Sequence, residues 1–236
     1  MIAREPALLL AAVLVLSIVP RAERRRRLTQ SERVAQSGQR LMEAAIELFA
    51  EKGFERTSSS EIADRAGYSH SMVTARFGSK EALLLQLMHT EYERRMLPPV
   101  DPADGIAALL LWVDTIREEI RKDPRCVRAF YTLVFEAVGP IPSLQPWVDD
   151  WLTRCVRHAT GCLVAAQQSG ELRDDVDIDA EAELFVYSGV GLGYKFVNDG
   201  DLSKFDESLA KWHTRFDNAH KLPPSTSKQK RPRTLG

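Results

Sequence analysis

The chain has 236 residues, 44% hydrophobic and 28% charged, enough apolar material for one large core or two small ones and too much for a disordered polymer. Its formal net charge of −1 hides an uneven distribution. Residues 21–30 carry five arginines against one glutamate, residues 97–219 carry twelve bases against twenty-one acids, and the tail 220–236 has five bases and no acid. Basic flanks on an acidic body fit a phosphate-binding front better than a uniformly basic coat. Three cysteines, Cys126, Cys155 and Cys162, form no spaced framework, which argues against structural disulfides and for a reducing, cytoplasmic setting.

In chain order, Ala7 to Val19 is a 13-residue apolar run between Pro6 and Pro20, followed by Arg24 to Arg27. It is shorter than the ~20 residues of a membrane span and lacks the charged start and small-residue cleavage site of a signal peptide. An upstream extension is favoured over an anchor or leader, and the arginines suit a flexible arm along a nucleic-acid backbone or a solvated segment.

From Gln30 onward apolar residues recur with helical period, and the expected fold class is all-α. The first helix is predicted over 37–52, with Leu41, Ala44, Ala45, Leu48 and Phe49 as its stripe and Gly53 as its stop. A short second helix is predicted over 58–66 and stopped by Gly67. A third follows over 70–77, capped by Ser69 and ended by Gly78, and Ser79 caps a fourth that runs toward Pro98. Further helices are predicted near 103–122, 125–138, 144–169, 180–198 and 205–218, and the Pro- and Lys-rich tail from His220 lacks core-forming residues and is predicted to be disordered.

Two short helices joined by Gly67-Tyr68-Ser69 have the lengths and turn chemistry of a helix-turn-helix, whose second helix enters the major groove. Ile62, Ala63, Ala66, Val73 and Phe77 fall inward, leaving His70, Ser71, Met72, Thr74, Ala75 and Arg76 on or near the outer face. Together with Thr57, Ser58, Ser69 and Lys80 these are the candidate DNA contacts, offering hydrogen bonds to base edges and phosphates and apolar contact to thymine methyls.

The segment Ala45-Ile46-Glu47-Leu48-Phe49-Ala50-Glu51-Lys52-Gly53-Phe54, then Thr57, Ile62-Ala63, Ala66-Gly67, Ser69 and Phe77-Gly78-Ser79-Lys80-Glu81-Ala82-Leu83, resembles the N-terminal domain of the tetracycline-repressor (tetR) family. The resemblance implies a three-helix DNA-binding domain over 31–78 behind an N-terminal extension at 1–30. A connecting helix and a helical effector-binding and dimerisation domain would follow over 79–219, then the tail. It also implies that the third helix reads the groove and that Lys80 holds a phosphate, a role that suits the free amides and positive dipole end where Ser79 opens the fourth helix. Thr74 departs from the family pattern, which usually has an aromatic residue there, and Arg76 stands where histidine is common.

The resemblance further implies that the last two long helices pair across a two-fold axis. Gly189 and Gly193, four apart on an apolar helix, are the candidate places of close approach in the dimer. They do not form a nucleotide loop, since Tyr194 stands where a third glycine belongs. Trp112, Phe130, Tyr131, Phe135, Trp147, Trp151 and Phe185 are the candidate walls of an apolar effector pocket. Cys155, His158 and Cys162 share a helical spacing that a core stripe explains without a metal, and the acidic run Asp174 to Asp179 lacks the glycine and distal glutamate of a calcium loop. No set of acid, base and nucleophile converges, so neither an enzyme nor a cofactor is expected. The expected function is a homodimeric, operator-binding transcriptional repressor released by a small, largely apolar effector. The alternative is a membrane-tethered helical interaction protein built on Ala7 to Val19.

Overall fold

The computed structural model describes residues 29–97 and 99–220; the apolar run, the arginine arm and the basic tail lie outside them. The chain divides into two compact units, residues 1–38 and 39–236. In the first, the described residues open a helix through a reciprocal cap: the Glu32 amide donates to Thr29 Oγ1 (3.1 Å) and the Thr29 amide to the Glu32 carboxylate (2.7 Å). That cap starts α1 (Gln30–Lys52) seven residues before the predicted start.

All other described elements belong to the second unit, and the described residues contain no strand. Helices α2 (Ser59–Arg65), α3 (Met72–Phe77) and α4 (Lys80–Leu87) close a small core on Leu41, Ala45 and Phe49 of α1, through Ile62, Ala63, Val73, Leu83 and Leu84, all essentially inaccessible to solvent. After α4 one turn, Met88–Tyr92, is π-helical before α5 (Glu93–Met96) resumes. Within it the Thr90 hydroxyl donates to the Gln86 carbonyl (2.9 Å), a side-chain bond that competes with the helical ladder.

Behind this lie α6 (Gly105–Lys122), α7 (Pro124–Glu136), α8 (Gln145–Ser169), α9 (Ile178–Asp199) and α10 (Leu202–His220). Helix α8 packs on α6 and α9, while α10 covers α6 and α9 from the other side. Pro at the first turn of α7 and Gly170 in the left-handed region after α8 delimit these helices as predicted.

Close helix approach at Gly193 is real, but it lies inside the chain. The residue is buried, and a Cβ there would collide with the Tyr131 ring of α7. Gly189 faces Trp212 of α10, whose ring would lie 3.5 Å from an added Cβ. The two glycines predicted to face a partner subunit are therefore spent on internal packing, because the face of α9 that carries them is the face that meets α7 and α10. A Gly193→Ala substitution should destabilise the fold by ~1–3 kcal/mol through overpacking. Urea denaturation reads this directly, and an unchanged midpoint would mean that Tyr131 yields without cost.

Candidate nucleic-acid interface

Helix α2 is anchored before it starts. Ser58 Oγ accepts from the Glu61 amide (3.2 Å) while the Ser58 amide donates to the Glu61 carboxylate (2.8 Å), and Lys52 Nζ pairs with Glu61 at 2.5 Å. The Lys52 contact, then the Ser58 bonds, pull the Glu61 carboxyl from its ordinary 4.5 down to about 2. At the other end Arg65 reaches back to Glu51 (2.9 and 3.1 Å) and Glu47 (3.2 Å) on α1. The turn then closes as a Schellman motif: the Tyr68 amide donates to the Ala63 carbonyl (2.8 Å) and the Gly67 amide to Asp64 (3.0 Å), with Gly67 at φ +77°. Only a residue without Cβ takes that dihedral cheaply, which is why the inter-helix angle depends on glycine here.

Helix α3 begins at Met72, two residues later than predicted. Ser71 occupies the cap position without a side-chain cap bond, and Ser69 instead accepts the Met72 amide through its carbonyl (2.9 Å). Val73 anchors the helix inward, and Ser69, His70, Ser71, Thr74 and Ala75 are exposed together along one edge. Met72 and Arg76 are half-buried at its margins, Met72 packing on the core. His70 Nε2 lies 3.0 Å from Asp64 of α2, an exposed pair of little energetic weight.

Three candidate contacts are committed elsewhere. Thr57 is buried, and its hydroxyl donates to the Gly53 carbonyl (2.7 Å). The Ser58 hydroxyl is exposed but occupied by Glu61. Lys80, read as a phosphate clamp, donates from Nζ to the carbonyls of Phe54 (3.0 Å) and Thr57 (2.7 Å) and sits 3.8 Å from the centre of the Phe54 ring. Its ammonium holds the α1–α2 loop together. Ser79 does cap α4, accepting the Ala82 amide at 3.0 Å.

Sequence reasoning missed Glu136, at the end of α7. Its carboxylate accepts the Phe54 amide (2.8 Å), and burial raises its carboxyl against the opposing pull of that amide, Arg56 and Lys80. No local pattern announces a contact between residues eighty-two positions apart.

Of the seven aromatics predicted to form a pocket, Trp112, Tyr131, Trp151 and Phe185 do line one cavity of about 40 Å³, with Met96 and Trp212 among its other walls. Phe130, Phe135 and Trp147 do not. Phe130 is fully buried between the rings of Tyr92 (5.4 Å) and Trp151 (5.1 Å), Phe135 packs on Tyr131 and Tyr194, and Trp147 stacks on Trp151 (6.2 Å) while donating to His89 Nδ1 (3.3 Å). Trp112 Nε1 is satisfied by the Met96 carbonyl (3.0 Å), whereas Trp151 Nε1 is buried with no hydrogen-bond partner among the described residues. Burial pushes the Cys155 and Cys162 thiols up to about 12 and 11, away from the thiolate that a metal would require. On the outside of α9, Leu184, Tyr187, Gly191 and Tyr194 form an exposed stripe, and nothing lies within 4 Å of a Cβ built at Gly191.

The sequence pattern of the bacterial regulatory proteins of the tetR family matches residues 41–87, which hold most of α1, all of α2 and α3, and α4. These 47 of the 236 residues are similar to that family's DNA-binding segment. The chain is 26% identical over 187 residues to the A-factor receptor protein of Streptomyces griseus, spanning 76% of its own length and 61% of the receptor's. Its fold matches the tetR regulator tylp of Streptomyces fradiae (TM-score 0.60, 25% identity, covering 81% of this chain and 90% of that one). It also matches a regulatory protein TetR from Rhodobacter sphaeroides (TM-score 0.65, 22% identity, 79% and 99%).

Lys80 and Glu61 each yield a measurement. Lys80→Ala should cost ~1.5–3 kcal/mol of stability, because charge-assisted bonds to two loop carbonyls are lost, while the salt dependence of DNA binding stays the same. A slope reduced by about one unit at unchanged stability would return Lys80 to the phosphate. The Glu61 cap should act on the acid limb: the folded carboxyl lies below its unfolded value, so its contribution is complete above pH 4.5 and fades as the pH falls to about 2. Glu61→Gln should flatten the fall of thermal midpoint across that interval, and parallel curves would show that the cap contributes nothing there.

Proposed function

We propose that the chain binds an operator as a homodimer in the cytoplasm, represses by steric exclusion, and is released when a small apolar molecule enters the aromatic cavity. The observation that carries this reading is the exposed edge formed by the turn residues Ser69, His70 and Ser71 with Thr74 and Ala75 of α3, a helix held by Val73 and the Gly67 turn. Such an edge presents donors, acceptors and a methyl to the major groove without a negative charge of its own. Functionally, residues 31–78 are the reading head and 79–219 the sensing and pairing domain.

Dimerisation is supported by the outer stripe of α9. Leu184, Tyr187 and Tyr194 are 59%, 51% and 61% exposed, large side chains of a kind a monomer has no reason to align on one face, with Gly191 between them allowing a second helix close. This stripe takes the place of Gly189 and Gly193 as the pairing surface. Among the described residues no helix is long and apolar enough to cross a membrane, so the tethered alternative rests on Ala7 to Val19 alone.

The relative in Streptomyces griseus is named a receptor, and a receptor role is what the cavity supports in kind. At about 40 Å³ it is far below the roughly 300–1,000 Å³ of sites for drug-sized ligands, so binding must open it. Its walls select an apolar body, and Trp151 Nε1 offers a hydrogen bond to one acceptor atom.

Selection of bound duplexes from a random pool tests the reading first, and failure to enrich any sequence would reject it. Ser71→Ala and Thr74→Ala should then alter the enriched motif, each lost base contact costing ~1–3 kcal/mol, whereas identical motifs would remove both residues from readout. In sedimentation, Tyr187→Glu with Tyr194→Glu should yield monomers that bind the selected site weakly. A persistent dimer would place the interface on another surface.

A further inference from the structure

Helix α7 touches both halves of the proposed mechanism. Its middle presents Tyr131 to the cavity and against Gly193, and its last residue, Glu136, holds the head. The Glu136 carboxylate enters a notch that exists only because residue 53 is glycine: a Cβ at Gly53 would collide with the carboxylate, and Gly53 also ends α1 at φ +78°. The same glycine's carbonyl accepts from Thr57, immediately before the Ser58 cap of α2. Lys80 grips the loop through the Phe54 and Thr57 carbonyls, and Glu136 grips it through the Phe54 amide. The backbone of Glu136 is itself fixed, its carbonyl accepting from the amides of Gly139 (3.1 Å) and Ile141 (3.0 Å). At the opposite end of α7, Arg125 pairs with Glu47 of α1 (2.8 Å), which also meets Arg65 of α2.

We infer that Glu136 is the positioning residue through which the cavity and the reading head sense one another: a shift of Tyr131 moves α7, and the carboxylate carries that movement to the loop that starts α2. This rests on the operator-and-effector reading. Coupling is reciprocal, so a head that responds to the cavity must, on binding DNA, disturb the cavity by the same free energy.

The chain supplies its own reporter. All four tryptophans, Trp112, Trp147, Trp151 and Trp212, lie on α6, α8 and α10, and the head contains none. Titrating full-length protein with the operator enriched from the random pool should shift the tryptophan emission of the wild type, excited at the red edge where DNA does not absorb. Glu136→Ala should still bind operator, within about tenfold of the wild-type affinity, but with the emission shift reduced at least fivefold. Glu136→Gln, whose amide carbonyl still accepts from Phe54, should restore it. Glu136→Leu keeps the side-chain bulk and should behave as the alanine variant. A full shift in the Ala or Leu variant, or operator binding by the wild type with no shift, overturns the inference while leaving DNA binding intact. If Ala and Leu both fail to fold while Gln folds, Glu136 is a structural support and the inference is likewise overturned. Failure to enrich any operator overturns the functional reading itself.

Discussion

The loop between α1 and α2 is a length of backbone whose polar groups are answered from three separate places in the chain. Thr57 returns to Gly53 from within, Lys80 comes from α4, and Glu136 arrives from α7. A buried amide or carbonyl without a partner costs far more than a good bond gains, so this loop has one conformation, and α2 starts where the loop ends. Every feature of the reading edge depends on that start: the Ser58–Glu61 box fixes the helix, the Gly67 turn fixes the angle, and Val73 fixes the rotation of α3.

The same economy governs the interior of the larger domain. Tyr131 can pack flat against α9 only because Gly193 withdraws, and its ring then stands beside Phe135 and Phe205 as well as the void. The cavity is what remains when bulky rings on five helices meet with imperfect complementarity. Phe185 illustrates this, touching Trp112, Trp212 and Phe216 at once and still leaving space unfilled. An interior of this kind is rigid along its stacked rings and weak at the gap, which is where an apolar molecule gains contacts that the protein does not supply itself.

How much of this was legible in the sequence depended on whether the signal was local. Helix stops at Gly53, Gly67, Gly78 and Gly170 were readable because the backbone needs glycine there, and the helical stripe of α1 was readable from its period. The early start of α1 also has a local signal, Thr29-x-x-Glu32, whose reciprocal cap opens the helix ahead of the apolar stripe. The start of α3 was ambiguous, since Ser69 and Ser71 flank His70 as equal candidates and only the closure of the turn decides between them. The internal partners of Lys80 were hidden from local reading, because a lysine opening a helix looks like an anion site while these carbonyls lie more than twenty residues away. Glycine spacing on α9 announced a close approach without saying whose helix would approach, and aromatic content announced bulk without saying which three of seven rings would pack out of the cavity.

The π-helical turn at Met88–Tyr92 has its own consequence for the rod that joins the head to the sensing helices. A π turn holds one residue more than the α turn it replaces, and in an α-helix each residue corresponds to ~100° of rotation. The rod therefore carries a phase offset between its two ends, relative to a regular helix from Lys80 to Met96. Length and twist are thereby separated. A single-residue deletion here would leave the rod nearly as long, and regularising the turn would swing the surfaces beyond it around the axis, so what this segment encodes is azimuth more than distance.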